Sequence, residues 1–451
     1  MDEKTAITRV FYQTVYRFFP RFTDWLKACA DPRRKGSCIY QIQTVLWVSL
    51  LMFVLKLNSR RKIDVRFRSE QFIKHLKLLS GQRLTRIPHN TTLAYLLRKL
   101  NPETFYKVRY LIINELLRDK VLAKFRLLDK YYLVVLDGTD CFSSRRRHCA
   151  HCLTKKVRDK KGKVRVIYHH PVVEAKIVAA NGFALSIETE FVANPSSGVQ
   201  VQDCELKAAY RLLARLGKRF PQLRICLVLD SLYVSEEILR LCELYDWRFI
   251  IVFKAGSAPE MYQEYESLKG RCSDNYLAYD WEVGGEEQEF WWVTDVDYKF
   301  KGCYYVNFLE CLVKKKRCKK GEEGLTRWLW ITNLPINKGN CMIIANQGGR
   351  LRWKEENEGF NIQKNGGYNL EHLYIKDYNG MKCIYLLIQI AHILNQLIEK
   401  GNLLTKEIKE ALGSIGEIAQ RLLEELRYFF FKPGEFERLI TKRIQIRFNT
   451  S

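Results

Sequence analysis

Acidic residues are scarce in this chain of 451 residues: 50 Asp and Glu stand against 75 Lys and Arg, a formal net charge of +25. A deficit of this size points to a polyanionic partner, with nucleic acid the first candidate and an anionic membrane the second. The membrane reading suffers from the lack of a long apolar run. Its candidate, residues 45–55, is too short to span a bilayer, with Gln41 and Gln43 before it and Lys56 closing it. The opening Met1-Asp2-Glu3-Lys4 lacks the basic-then-apolar form of a secretory leader, so an intracellular protein is expected. A second Cys-x-x-Cys is missing as well. The 14 Cys are scattered, and in a reducing compartment most read as small buried hydrophobes. One cluster, His148-Cys149-Ala150-His151-Cys152, holds a single Cys-x-x-Cys. A structural zinc there would have to recruit His169, His170 or Cys204, so ordinary thiols are the favoured reading. Disorder is excluded by a hydrophobic content of 47% and nine Trp.

What is present is a repeated device. The strand-forming run Tyr131-Tyr132-Leu133-Val134-Val135-Leu136 ends in Asp137-Gly138, and Ile225-Cys226-Leu227-Val228-Leu229 ends in Asp230-Ser231. Either Asp alone reads as a turn or helix cap. Two strands that each deliver a carboxylate at the same end can set the pair side by side, where mutual repulsion calls for a divalent cation. A third acid follows in Arg352-Trp353-Lys354-Glu355-Glu356-Asn357, a stretch with a helical pattern. Strand Asp, strand Asp, helix Glu is the arrangement of a two-metal phosphoryl-transfer site.

The organisation around these acids is α/β. Residues 1–125 show helical spacing and carry the basic runs Arg33-Arg34-Lys35 and Arg60-Arg61-Lys62, as expected of a helical DNA-binding domain. Residues 126–269 change period. Strands are expected over 131–136, 164–168, 172–179, 183–191, 225–229 and 249–253, with helices over 203–216 and 236–244. Strands first, then helix, strand, helix, strand, is the order of a ribonuclease-H-like core. Residues 270–335 alternate as strands and hold Lys314-Lys315-Lys316-Arg317-Cys318-Lys319-Lys320. They are expected to form a β-rich insertion outside the core sheet, with 314–320 on an exposed loop. Residues 336–380 return to the core with the Glu helix, and 381–451 read as a helical C-terminal region.

These motifs, Leu136-Asp137-Gly138-Thr139, Leu229-Asp230-Ser231-Leu232-Tyr233 and Arg352 to Phe360, resemble the acidic motifs of bacterial insertion-sequence transposases of the DDE type, IS4 superfamily. The resemblance covers about residues 85–400, and Gln202-Asp203-Cys204-Glu205 and Gly367-Tyr368-Asn369-Leu370-Glu371-His372 add to it. In the family's third motif a Tyr, an Arg, a Glu and a Lys recur at fixed spacing. Arg352 and Glu356 keep that spacing, with Glu355 the runner-up. Gly349 stands at the Tyr position and Gln363 at the Lys position, with Lys364 one residue later.

The resemblance implies a ribonuclease-H-like catalytic core interrupted by a β-strand insertion. It also implies Asp137, Asp230 and Glu356 as catalytic ligands of two Mg²⁺ ions, or Mn²⁺, about 4 Å apart. Arg352 and Lys364 would hold phosphates, and Trp328 would stack on a displaced base. The implied partner is double-stranded DNA, both element ends and target, bound by a homodimer in the bacterial cytoplasm at the nucleoid. Two alternatives stay open: a ribonuclease-H-fold nuclease that cuts without joining, and an inactive transposase-derived DNA-binding regulator.

Overall fold

The computed structural model describes residues 7–34, 36, 38–158, 162–194, 201–281, 285–298, 304–315 and 324–449. It is a mixed α/β fold built on a ten-stranded, mainly antiparallel sheet. The strands are β1 (Tyr132–Ser144), β2 (Leu153–Arg158), β3 (Val164–Val178), β4 (Ala184–Phe191), β5 (Ile225–Leu229), β6 (Arg248–Val252), β7 (Tyr276–Trp281), β8 (Glu286–Tyr298), β9 (Tyr304–Lys315) and β10 (Leu325–Thr332). Their order across the sheet is β2-β3-β1-β5-β6-β10-β9-β8-β7, with β4 also pairing with β3. Only the β1–β5 and β5–β6 pairs are parallel. Each of those two steps is a crossover through helices, Glu205–Arg219 and Glu236–Leu244.

Three expectations change here. β1 does not stop at Leu136: antiparallel pairing with β3 carries it through Asp137 to Ser144, with a bulge between Asp140 and Phe142. The strands expected over 164–168 and 172–179 are one strand, β3, because Pro171 falls at that bulge, where its missing N–H is tolerated. The strands of 270–335 form as expected but do not lie outside the core sheet. β10 pairs with β6, and β7 to β10 continue the same sheet as an antiparallel meander. Lys314 and Lys315 are the exposed end of β9, and residues 316–320 of the basic run lie outside the described residues.

Helices Phe22–Lys27, Glu70–Ser80 and Asn90–Lys99 pack against Ile42–Val54, all of whose residues are buried. Their apolar side chains join those of one face of the sheet and the C-terminal helices in one contiguous core, while a second core lies on the other face. Tyr378–Lys400 runs through this core. By length and composition it could cross a membrane, but 94% of its apolar window is buried within the fold. After this helix come Lys406–Leu412 and Ile415–Tyr428, separated at Gly413, whose φ of +73° suits glycine.

Candidate functional site

Strand register brings the first two acids together. Val135 of β1 lies opposite Val228 of β5, and two residues further along each chain come Asp137 and Asp230. Neighbouring strands run about 4.8 Å apart, so the two Asp leave adjacent parallel strands at one level and, by alternation, on one face. Asp230 sits just past the end of β5 and caps the short turn Ser231–Tyr233, accepting from the Leu232 N–H at 3.0 Å and the Ser231 hydroxyl at 2.9 Å. Burial would raise its pKa, but those hydrogen bonds and the charges of Arg352 and Lys254 hold it below the ordinary carboxylate value.

Asp137 behaves in the opposite way. Its Oδ1 accepts from the Gly138 N–H at 2.9 Å, and its Oδ2 lies 3.9 Å from Arg352 Nη1. Burial nevertheless pushes its pKa up to about 6, with Glu205 and Glu356 adding to the rise. Glu356 is thus within electrostatic reach of Asp137, on an exposed position. Arg352 acts on both Asp137 and Asp230.

The segment carrying Arg352 and Glu356 is helical in a distorted way: a 3₁₀ turn over Gly349–Arg352, then π winding over Glu355–Asn361. Wide π turns recur at functional sites, where they re-aim side chains. Here Glu355 turns into the interior, 3.4 Å from Lys176 Nζ, while Glu356 faces outward. Burial raises the Glu355 pKa well above its ordinary value, opposed by Lys176 and reinforced by Asp137. Its Oε2 is buried without a hydrogen-bond partner. An orphaned carboxylate oxygen beside a protonation-prone Asp is a set of hard donors that a divalent cation would satisfy. Asp137, Asp230 and Glu356, with Glu355 alongside, therefore suit Mg²⁺ in donor type. They are not closed around a common point: among the described residues the trio with ligand atoms mutually within 4.8 Å is Cys149, Cys152 and His170.

Glu205 is the acid whose role the sequence did not disclose. It opens the helix Glu205–Arg219, accepts from the Tyr233 hydroxyl at 2.7 Å, and lies where a Cβ on Gly138 would be, 2.4 Å from that position. A side chain at position 138 would therefore displace the Glu205 carboxylate. The Gln202-Asp203-Cys204-Glu205 stretch was a signal, but nothing in it shows that it folds over β1.

Trp328 lies on β10, stacked at 5.9 Å on Trp330 and edge-on to Trp353 at 6.4 Å. The Arg352 guanidinium lies 4.7 Å over the Trp353 ring. An aromatic ladder thus runs from the interior of the meander to the cation beside Asp137. Gly349, at the family's Tyr position, has no room for a side chain, since a Cβ there would come within 2.5 Å of the Trp330 indole. Lys364 is paired with Glu371 at 3.4 Å. Asp140, a further acid on β1, is held by His169 at 2.7 Å and Lys155 at 2.8 Å. Of the zinc candidates, His170 meets Cys149 and Cys152, whereas His169 is engaged by Asp140 and Cys204 is exposed.

No protein-family model matches the chain, and no curated protein is significantly similar to it.

Proposed function

We infer that this chain is a DDE-type DNA transposase with a ribonuclease-H-like core. The observation that carries the reading is the parallel register of β1 and β5, which sets Asp137 beside Asp230 while the Arg352 to Glu356 segment lies against them. The strand order β4-β3-β1-β5-β6, three antiparallel strands followed by two parallel crossovers, supports that core. Mg²⁺ ions held by Asp137, Asp230 and Glu356 would supply an activated oxygen nucleophile and a stabilised leaving oxygen.

The residues of the chain do the rest. Arg352 lies 3.9 Å from Asp137 and its charge also acts on Asp230; with the two Asp neutralised it would be free to hold a non-bridging phosphate oxygen. Trp353, 46% exposed, and Trp328 behind it offer stacking faces for a base at a distorted duplex end. Double-stranded DNA has a landing surface in the helical region. A cavity of about 900 Å³ there is lined by Arg33, Arg34, Arg60, Arg61 and Arg98, with no carboxylate among its lining residues. Arg34, Arg61 and Arg98 are exposed on it. A bacterial cytoplasmic protein acting at the nucleoid, as a dimer when two ends are joined, completes the reading.

The test uses the full chain, Mg²⁺ and a duplex carrying the inverted repeat that flanks the reading frame. Nicking at the repeat end and joining of the freed 3′-OH to a second duplex are expected. Asp137→Asn should lose both steps by roughly 10³-fold or more, about 4 kcal/mol of barrier, while retaining DNA binding. Cutting without joined product would favour the nuclease. Binding without chemistry in Mg²⁺ or Mn²⁺ would favour the regulator.

A further inference from the structure

The connection between β1 and β2 folds back onto β3 and gathers sulfur and nitrogen donors. Leu153 of β2 lies opposite His169 of β3, so the next residue outward, Cys152, comes opposite His170. Cys149 is returned to the same point by a turn in which the Cys152 N–H donates to the Cys149 carbonyl at 3.3 Å. The result is Cys149 Sγ 3.9 Å from Cys152 Sγ, with His170 Nε2 at 3.3 Å from the first and 3.2 Å from the second. Zinc bonds of about 2.3 Å to sulfur and about 2.0 Å to nitrogen at a tetrahedral angle place two sulfurs about 3.8 Å apart and sulfur and nitrogen about 3.5 Å apart. The observed triangle matches to within a few tenths of an ångström.

Burial raises the Cys152 thiol pKa, and the Cys149 N–H acts against that rise. The Cys149 N–H donates to Cys152 Sγ at 3.3 Å, and Arg146, Arg147 and Lys376 line the adjoining cavity of about 260 Å³. The His170 ring is fixed by stacking on Tyr378 at 4.8 Å. The same cavity is lined by His148, so that residue or water could serve as a fourth ligand.

We propose that Cys149, Cys152 and His170 bind a structural Zn²⁺ that clips the basic turn 145–152 onto β3. Binding exchanges the two thiol protons for the ion, leaving a neutral dithiolate centre. Two soft sulfurs and an imidazole select zinc over the hard cation expected at Asp137. The ion would do for this turn what the short β2 strand, largely exposed, does not.

The experiment contains no DNA, so its outcome is independent of the transposase reading. Full-length protein purified under reducing conditions should carry about one zinc per chain by mass spectrometry of the metal. Cobalt loading should give a thiolate-to-metal charge-transfer band. Cys149→Ser and Cys152→Ser should each reduce both signals to background, and Cys204→Ser should leave them unchanged. Should the serine variants fail to fold, trypsin decides. The run Arg145-Arg146-Arg147 should resist cleavage in the zinc-loaded wild type and be cut after chelation. Zinc-free protein that takes up neither ion, a Cys149–Cys152 disulfide in its place, or zinc retained without both thiols would overturn the proposal.

Discussion

Asp137 and Glu174 face each other across β1 and β3, one residue pair in one sheet, and their surroundings differ in a way that separates scaffold from site. Glu174 is fully buried and fully engaged. Thr189 and Tyr385 donate to it at 2.7 and 2.9 Å, Ser186 donates to its other oxygen, and Arg109 Nη1 lies 3.6 Å away. Glu188 shares Arg109 and adds Arg215 at 3.3 Å and Arg219 at 3.2 Å. Burial still lifts the Glu174 pKa, but cations and hydroxyls oppose the rise. Asp137 has one backbone N–H and one arginine at 3.9 Å, and its other charged neighbours, Glu205 and Glu356, are acids. One carboxylate has its compensation built in. The other has no such compensation, the contrast expected between a structural ion network and the metal ligand proposed for Asp137.

The largest effect should come from removing that built-in compensation. Arg109→Ala would leave Glu174 buried with Lys176 as its remaining nearby cation, and Glu188 short of one. A loss of about 3–5 kcal/mol is expected in urea unfolding at neutral pH. A loss below 1 kcal/mol would show that the hydroxyls and the neighbouring arginines suffice, and the contrast with Asp137 would weaken.

At Asp137 the opposite sign is expected. The unfolded chain gives up this proton near 3.8, while the fold holds it to about 6. Between those values the folded state binds more protons, so the site's drain on stability is absent below about pH 4, grows from 4 to 6, and is complete above. The drain is at most about 3 kcal/mol. Asp137→Asn should therefore raise the melting temperature at pH 7.5 in metal-free buffer and leave it nearly unchanged at pH 4. Mg²⁺ should stabilise the wild type and not the variant. A variant less stable than wild type at pH 7.5 would mean that Asp137 is a structural acid like Glu174.

Much of the core was legible because its signals are local. β5 is found at 225–229 as expected, and the following helix at 236–244, each defined by a short apolar run or a clean helical face. What was not legible depends on pairing between distant residues. Gly138-Thr139-Asp140 reads as a turn, yet β3 holds it extended, and the union of the meander with the core rests on three residue pairs between β10 and β6. The third acid turned on winding. Spacing of four from Arg352 favours Glu356, and the π turn places it outward near Asp137 while burying Glu355 against Lys176. Glu205 was hidden for a different reason, since its neighbour is a glycine 67 positions earlier, which has no side chain.

Glu205 gives the smallest and sharpest test. Its charge is among those that raise Asp137, and it lies against Gly138 while accepting from the Tyr233 hydroxyl. Removing the charge without the shape, Glu205→Gln, should lower the Asp137 pKa from about 6 toward its ordinary value, read by carbon NMR of the carboxylates. Stability near pH 7 should rise by well under ~1 kcal/mol, because burial is the larger cause and remains. Metal affinity separates two roles for the residue. If Glu205 only adds negative field, Mg²⁺ binding should weaken a few-fold and keep its stoichiometry. If it is a ligand, binding should fall by ~10-fold or more with a change in stoichiometry. An unmoved Asp137 titration would place Glu205 outside the acidic cluster and leave burial and Glu356 as the causes of the Asp137 shift.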